Sequence, residues 1–113
     1  MTTPQHDFTL NLPTTDSSVP PNALVAGQMT QLNFGINGVT YMWPIPAATL
    51  PGAAVTVLFA NLTPAFVPVP GTTYTADVFA VDANGNGPNS NTATWTQIAA
   101  ATAPAAPTGF SVS

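Results

Sequence analysis

The chain has 113 residues and not one of them is Lys, Arg or Cys. Without cationic side chains it cannot neutralise a phosphate backbone, which excludes nucleic-acid binding through the usual electrostatic route. It has no Lys or Arg to clamp a nucleotide's phosphates and no basic patch for anionic lipid. No Lys/Arg–carboxylate pair can form within the chain, so cohesion rests on apolar packing and neutral hydrogen bonds. The acids are sparse too: four, all Asp, at positions Asp7, Asp16, Asp77 and Asp82. The absence of Cys removes disulfides and thiolate metal sites and leaves the redox compartment open. No run approaches the ~20 apolar residues of a membrane helix. Met1–Asp7 has neither the basic n-region nor the apolar h-region of a Sec signal peptide. The expectation is a protein that works where it is made, leaves by another route, or is an excised piece given a new Met.

What is present fits one small domain. With 45% hydrophobic residues the chain can build a core, although a domain of this size is only marginally stabilised by burial. With 4% charged residues, Thr, Asn, Gln, Ser and Ala must cover most of the surface. So little charge gives weak protection against association. Composition therefore leaves two readings, a neutral soluble domain or a subunit packed in an assembly.

Thirteen Pro and eight Gly are scattered along the chain, and short alternating runs recur between them. That pattern predicts an all-β sandwich. Phe8–Leu12 alternates and stops at Pro13, and Thr14–Gly27 reads as a loop. Gln31–Ile36 alternates up to Asn37-Gly38, a type I′ hairpin signal, and Val39, Tyr41 and Trp43 continue the return strand until Pro44. Val55–Phe59, Phe66–Val69, Thr73–Asp82 and Asn91–Ile98 complete seven strands. Alternation places Leu32, Phe34, Val57, Tyr74, Val78 and one of the two Trp residues in the core. Residues 1–98 form the expected sandwich; 99–113, rich in Ala and Pro, form a C-terminal arm or linker.

Residues 70–90 resemble a fibronectin type III domain. Pro70-Gly71-Thr72-Thr73-Tyr74 is similar to the family's P-G-T-x-Y lead into strand F. The run Tyr74, Ala76, Val78, Ala80, Asp82, then Gly85-Asn86 and Ser90, follows the Y-x-x-x-V-x-A-x-D-x-x-G-N…S pattern of bacterial members. The resemblance implies a seven-stranded immunoglobulin/fibronectin III-like sandwich with Pro/Ala-rich terminal arms. It also implies a structural tyrosine corner at Tyr74, its hydroxyl bonding back to the preceding turn. The chain departs from the family in one place: Phe34 and Ile36 stand at the positions expected for the strand B Trp, and Trp43 falls in strand C. Pro104–Val112 resembles the opening of a following domain of the same type.

Chemistry-bearing groups are few. His6 is the one imidazole in the chain, and no Ser sits in a G-x-S-x-G elbow. Asp77 and Asp82 lie an odd number of residues apart on one strand, so they point to opposite faces and make no carboxylate pair. The reading is a non-enzyme with no cofactor. Asp82-Ala83-Asn84-Gly85-Asn86-Gly87 copies the first half of a calcium loop, but position twelve is Ala93 where a bidentate Glu is required, so a hairpin turn is expected and no metal. Asn61-Leu62-Thr63 is a formal glycosylation sequon. Tyr41, Trp43 and Trp95 are either core or a contact surface, with a weak glycan contact as the secondary expectation. Phe110 and Val112 alternate in a manner suited to strand addition at a neighbour's edge.

The fibronectin III resemblance implies a structural or interaction module on the surface of a tailed-phage virion, as a capsid decoration, head-fibre or tail protein. Its partners would be copies of itself or other virion proteins. The alternative is a fibronectin III-like binding or spacer module of a larger bacterial enzyme or adhesin, secreted and extracellular.

Overall fold

The structure, a computed structural model, describes residues 3–100 and 104–112. Seven strands appear in the order β1 (Asp7–Asn11), β2 (Met29–Ile36), β3 (Val39–Pro44), β4 (Ala54–Leu58), β5 (Thr73–Asp82), β6 (Gly85–Asn86) and β7 (Ala93–Thr96). A single 3-10 turn at Phe59–Asn61 is the one helical element among the described residues. The strands form two open sheets, so the all-β class expected from alternation holds. β1 pairs β4 in the smaller sheet. In the larger sheet the order is β3-β2-β5, and β6 and β7 both lie along the far side of β5.

The register explains the core. Leu32, Phe34 and Ile36 of β2 stand opposite Trp43, Tyr41 and Val39 of β3 on one side, and Ala80, Val78 and Ala76 of β5 on the other. Residues directly opposite share a sheet face, so this whole set points one way. From the smaller sheet Phe8 and Leu10 pair with Val57 and Val55 and close over it. Phe8 stacks on Phe34 with ring centroids 5.0 Å apart. Asn37 and Gly38 both have positive φ, 47° and 82°, as the type I′ turn requires. The Asn37 side chain also fixes the hairpin tip to β5, accepting from Thr75 N–H at 2.8 Å.

Several expectations need correction. Leu32, Phe34, Val57 and Tyr74 are buried, but Val78 is half-buried and so are both Trp residues. Phe66–Val69 is not a strand. Pro64, Pro68 and Pro70 deny it donors, and it runs as a loop that turns Phe66 inward against Phe59 and Tyr41. The last strand is shorter than Asn91–Ile98 because residues 87–92 are irregular. Even so, they follow β5: Gly87 N–H bonds Ala80 C=O at 2.8 Å, and Ser90 N–H bonds Val78 C=O at 2.8 Å. β6 and β7 are thus two ends of one interrupted return strand. Residues 99–100 and 104–112 carry no regular element and are exposed; the parts of the expected arms at 1–2, 101–103 and 113 lie outside the described residues.

Candidate interaction surface

Tyr74 stands second in β5 with its ring in the core and its hydroxyl at the rim. The phenolic oxygen accepts from Val69 N–H at 2.9 Å, five residues upstream in the preceding turn. That bond satisfies a donor in a segment where three neighbouring Pro residues contribute none. Tyr74→Phe should lower the unfolding free energy by about 1 kcal/mol, the net worth of such a bond. An unchanged urea midpoint would show that the bond does not hold the turn.

The other aromatic candidates point inward. Trp95 stacks on Tyr74 with centroids 5.3 Å apart and lies edge-on to Phe8 at 5.6 Å. Its Nε1–H donates to Gln97 Oε1 at 3.0 Å. Tyr41 meets Phe66 edge-on at 5.3 Å. Trp43, opposite Leu32, packs at the margin of the core. The three rings form no exposed row for a sugar to lie on, because each is turned to the inter-sheet side and Trp95 has Tyr74 on one face.

At the pole where β1 and β5 end, an open cleft of about 600 Å³ lies between the loop after β1 and the β5–β6 hairpin. Its walls include Asp16, Asp82, Asn84 and Asn86. Both carboxylates have structural work. Asp82 Oδ1 accepts from Asn84 N–H at 2.7 Å, closing the turn that the Asp-Ala-Asn-Gly sequence predicts. Asp16 Oδ1 accepts from Asn22 N–H at 2.8 Å and Ser18 N–H at 3.0 Å. Those backbone bonds, the one from Asn22 foremost, hold the Asp16 carboxyl below its ordinary 3.8. A group whose pKa is depressed in the fold stabilises above its unfolded value and loses that contribution as pH falls through the folded value. The Thr14–Leu24 loop should therefore stay protected at neutral pH and loosen only below about pH 4. A lower Asn22 amide protection factor (exchange compared with a free amide at the same pH) on acidification, and at all pH values in Asp16→Asn, is the expected result. A protection factor that ignores both changes would refute it.

The outward face of the larger sheet is nearly uncharged. Thr73 and Thr96 hydroxyls meet at 2.9 Å, Thr75 and Thr94 at 3.3 Å. Gln31 Nε2 donates to Asn33 Oδ1 at 2.9 Å beside half-buried Phe79 and Val81. Asp77 also lies on this face, over Gly35, where a Cβ would stand 2.8 Å from its carboxylate. His6 is exposed, its Nε2 3.4 Å from Asp7 Oδ2. Phe110 and Val112 are 98% and 96% exposed, far from the aromatic cluster in burial and in role.

Sequence reasoning did not single out Gln5 and Gln97. Gln97 is buried, and its Nε2 donates to Gln5 C=O at 3.0 Å. Gln5 Oε1 in turn accepts from Ile98 N–H at 2.9 Å. The pair fastens the segment before β1 to the segment after β7. Only the place of Gln97 at the end of an apolar strand hinted at it. Among known proteins, neither a family model, nor a curated protein, nor a solved structure matches the chain.

Proposed function

We propose that the chain is a fibronectin III-like, non-enzymatic assembly module carried on the surface of a tailed-phage virion, as a capsid decoration, head-fibre or tail protein. The observation that carries the fold part is the strand order. β1 and β4 take the places of strands B and E, and β2, β5 and β7 those of C, F and G, with β3 as C′. The Tyr74–Val69 bond falls where the tyrosine corner of such a sandwich belongs. Under this reading Phe34 and Ile36 belong to strand C, not strand B. The inward strand B positions are then Phe8, Leu10 and Leu12, and Trp43 moves to C′. Neutral Thr- and Asn-covered faces support the assembly part, since a subunit held by polar neutral contacts needs no surface charge for solubility.

The test is immunogold electron microscopy with an antibody to the chain, applied to particles from a lysate of its source. Labelling on capsids or tails is the expected result. Label confined to the cell envelope or medium would favour the second reading, a spacer or binding module of a larger secreted protein. The exposed Pro/Ala segment at 104–112, so similar to a domain opening, is the observation that keeps that reading in view.

A further inference from the structure

The smaller sheet has only two strands, and no described strand pairs the outer edge of β1. Which backbone groups lie on that edge follows from the bonds on the other side. Leu12 N–H reaches Ala53 C=O at 2.9 Å, and Phe59 N–H reaches His6 C=O at 2.8 Å. Even-numbered positions therefore face β4, and the strand's period turns N–H and C=O of Asp7, Thr9 and Asn11 to the open edge. Such an edge is a template for a further strand.

Beside it the core is incompletely closed. A crevice of about 200 Å³ opens between β1 and the irregular 87–92 segment, walled by Leu10, Leu32, Val78, Ala80 and Pro88. A strand added to β1 would drop alternate side chains into this crevice, provided they are apolar.

The chain carries a segment of that description and leaves it bare. Phe110 and Val112, two residues apart, share one face when extended and are almost wholly exposed. Gly109 has φ 73° and is free to extend, having no Cβ. Pro104 and Pro107 favour an extended approach. With both side chains bare, the segment does not pack on its own body. Direction argues the same way. Ile98 is fastened to Gln5 at the start of β1, so a direct return by the chain's own tail runs parallel to β1. The tail of a second copy can approach antiparallel, the more stable pairing.

We infer that residues 108–112 of one copy add as a strand to the β1 edge of another, with Phe110 and Val112 seated in the crevice. The contact is head-to-tail, one tail and one edge per copy, so it links subunits in series. This deepens the assembly reading and rests on it, but not on the virion.

The experiment is sedimentation velocity of the 113-residue chain over rising concentration. The intact chain should form a ladder of oligomers that high salt does not disperse. The double variant Phe110→Ser/Val112→Ser should remain monomeric with an unchanged melting midpoint, since both side chains are exposed. Thr9→Pro removes one edge donor and spares the β1–β4 bonds. It should donate its tail and accept none. Mixed with a chain lacking residues 104–113, which accepts and cannot donate, it should give one-to-one dimers and nothing larger. Oligomers that persist in the tail variants would overturn the inference and leave the assembly reading standing. An intact chain that stays monomeric throughout would overturn it as well, and immunogold labelling would then decide the assembly reading alone. Should Thr9→Pro fail to fold, the double variant remains decisive.

Discussion

Phe34→Ala should lower the unfolding free energy by about 3–5 kcal/mol, the range for deleting a buried aromatic ring. Phe34 is 2% exposed and lies at the crossing point of the fold. It sits on β2 between Tyr41 of β3 and Val78 of β5, and it stacks on Phe8 of the opposite sheet. Its loss would leave a void touching both sheets, and a two-stranded sheet has little freedom to sink into it. Small domains have only about 5–15 kcal/mol in hand, so the variant should be partly unfolded near 37 °C. The check is a urea midpoint measured beside Phe34→Leu, which keeps most of the volume and should lose much less. Equal midpoints for the two variants would mean that the site collapses freely and that the sheets are not held apart by this ring.

Gln97→Leu should cost about 1–3 kcal/mol, because two half-buried groups lose the buried partner they share. Trp95 Nε1–H loses its acceptor, now at 3.0 Å, and Gln5 C=O loses its donor, also at 3.0 Å. Shape is nearly conserved, so the effect reports polar satisfaction and not packing. Gln97→Glu is the sharper control. It restores an acceptor for Trp95 but places a carboxylate at a buried position in a chain with no Lys or Arg to meet it, and an unpaired buried charge costs more than a lost bond. The melting temperature should fall for both, with Glu the lower at neutral pH. Recovery of the Glu variant on acidification would identify the charge as the cause.

Alternation made the strands readable wherever both neighbours are strands. β2, β3 and β5 have neighbours fixed by the Asn37-Gly38 turn and by long apolar periods, and they appear where the pattern puts them. The pattern fails where the third dimension decides. Phe66–Val69 alternates like a strand, but its Pro residues leave it no ladder and its Phe is needed to roof β3. Residues 87–90 were invisible as a continuation of the return strand because Gly, Pro and Asn carry no period, and Ser90 pairs with Val78 all the same. Both Trp residues looked interchangeable in sequence. One sits against Tyr74 in the middle of an aromatic cluster and the other at a sheet margin, a difference set by strand order alone. At the surface, Phe110 and Val112 were legible as apolar residues outside any predicted core. The edge that could receive them became visible only when the smaller sheet turned out to have two strands.

The Gln5–Ile98 and Gln5–Gln97 bonds have a mechanical meaning. Polypeptide enters and leaves the sandwich at one pole, and the cleft with its two loops occupies the opposite pole. The body hangs from its connections like a pendant and is not threaded on them like a bead. A force applied through the two connections would act across this small clasp and open its bonds one after another, as a zip opens, instead of loading a row of strand bonds together in shear. Such a module suits presentation of its far pole to the surroundings and is poorly suited to carrying tension.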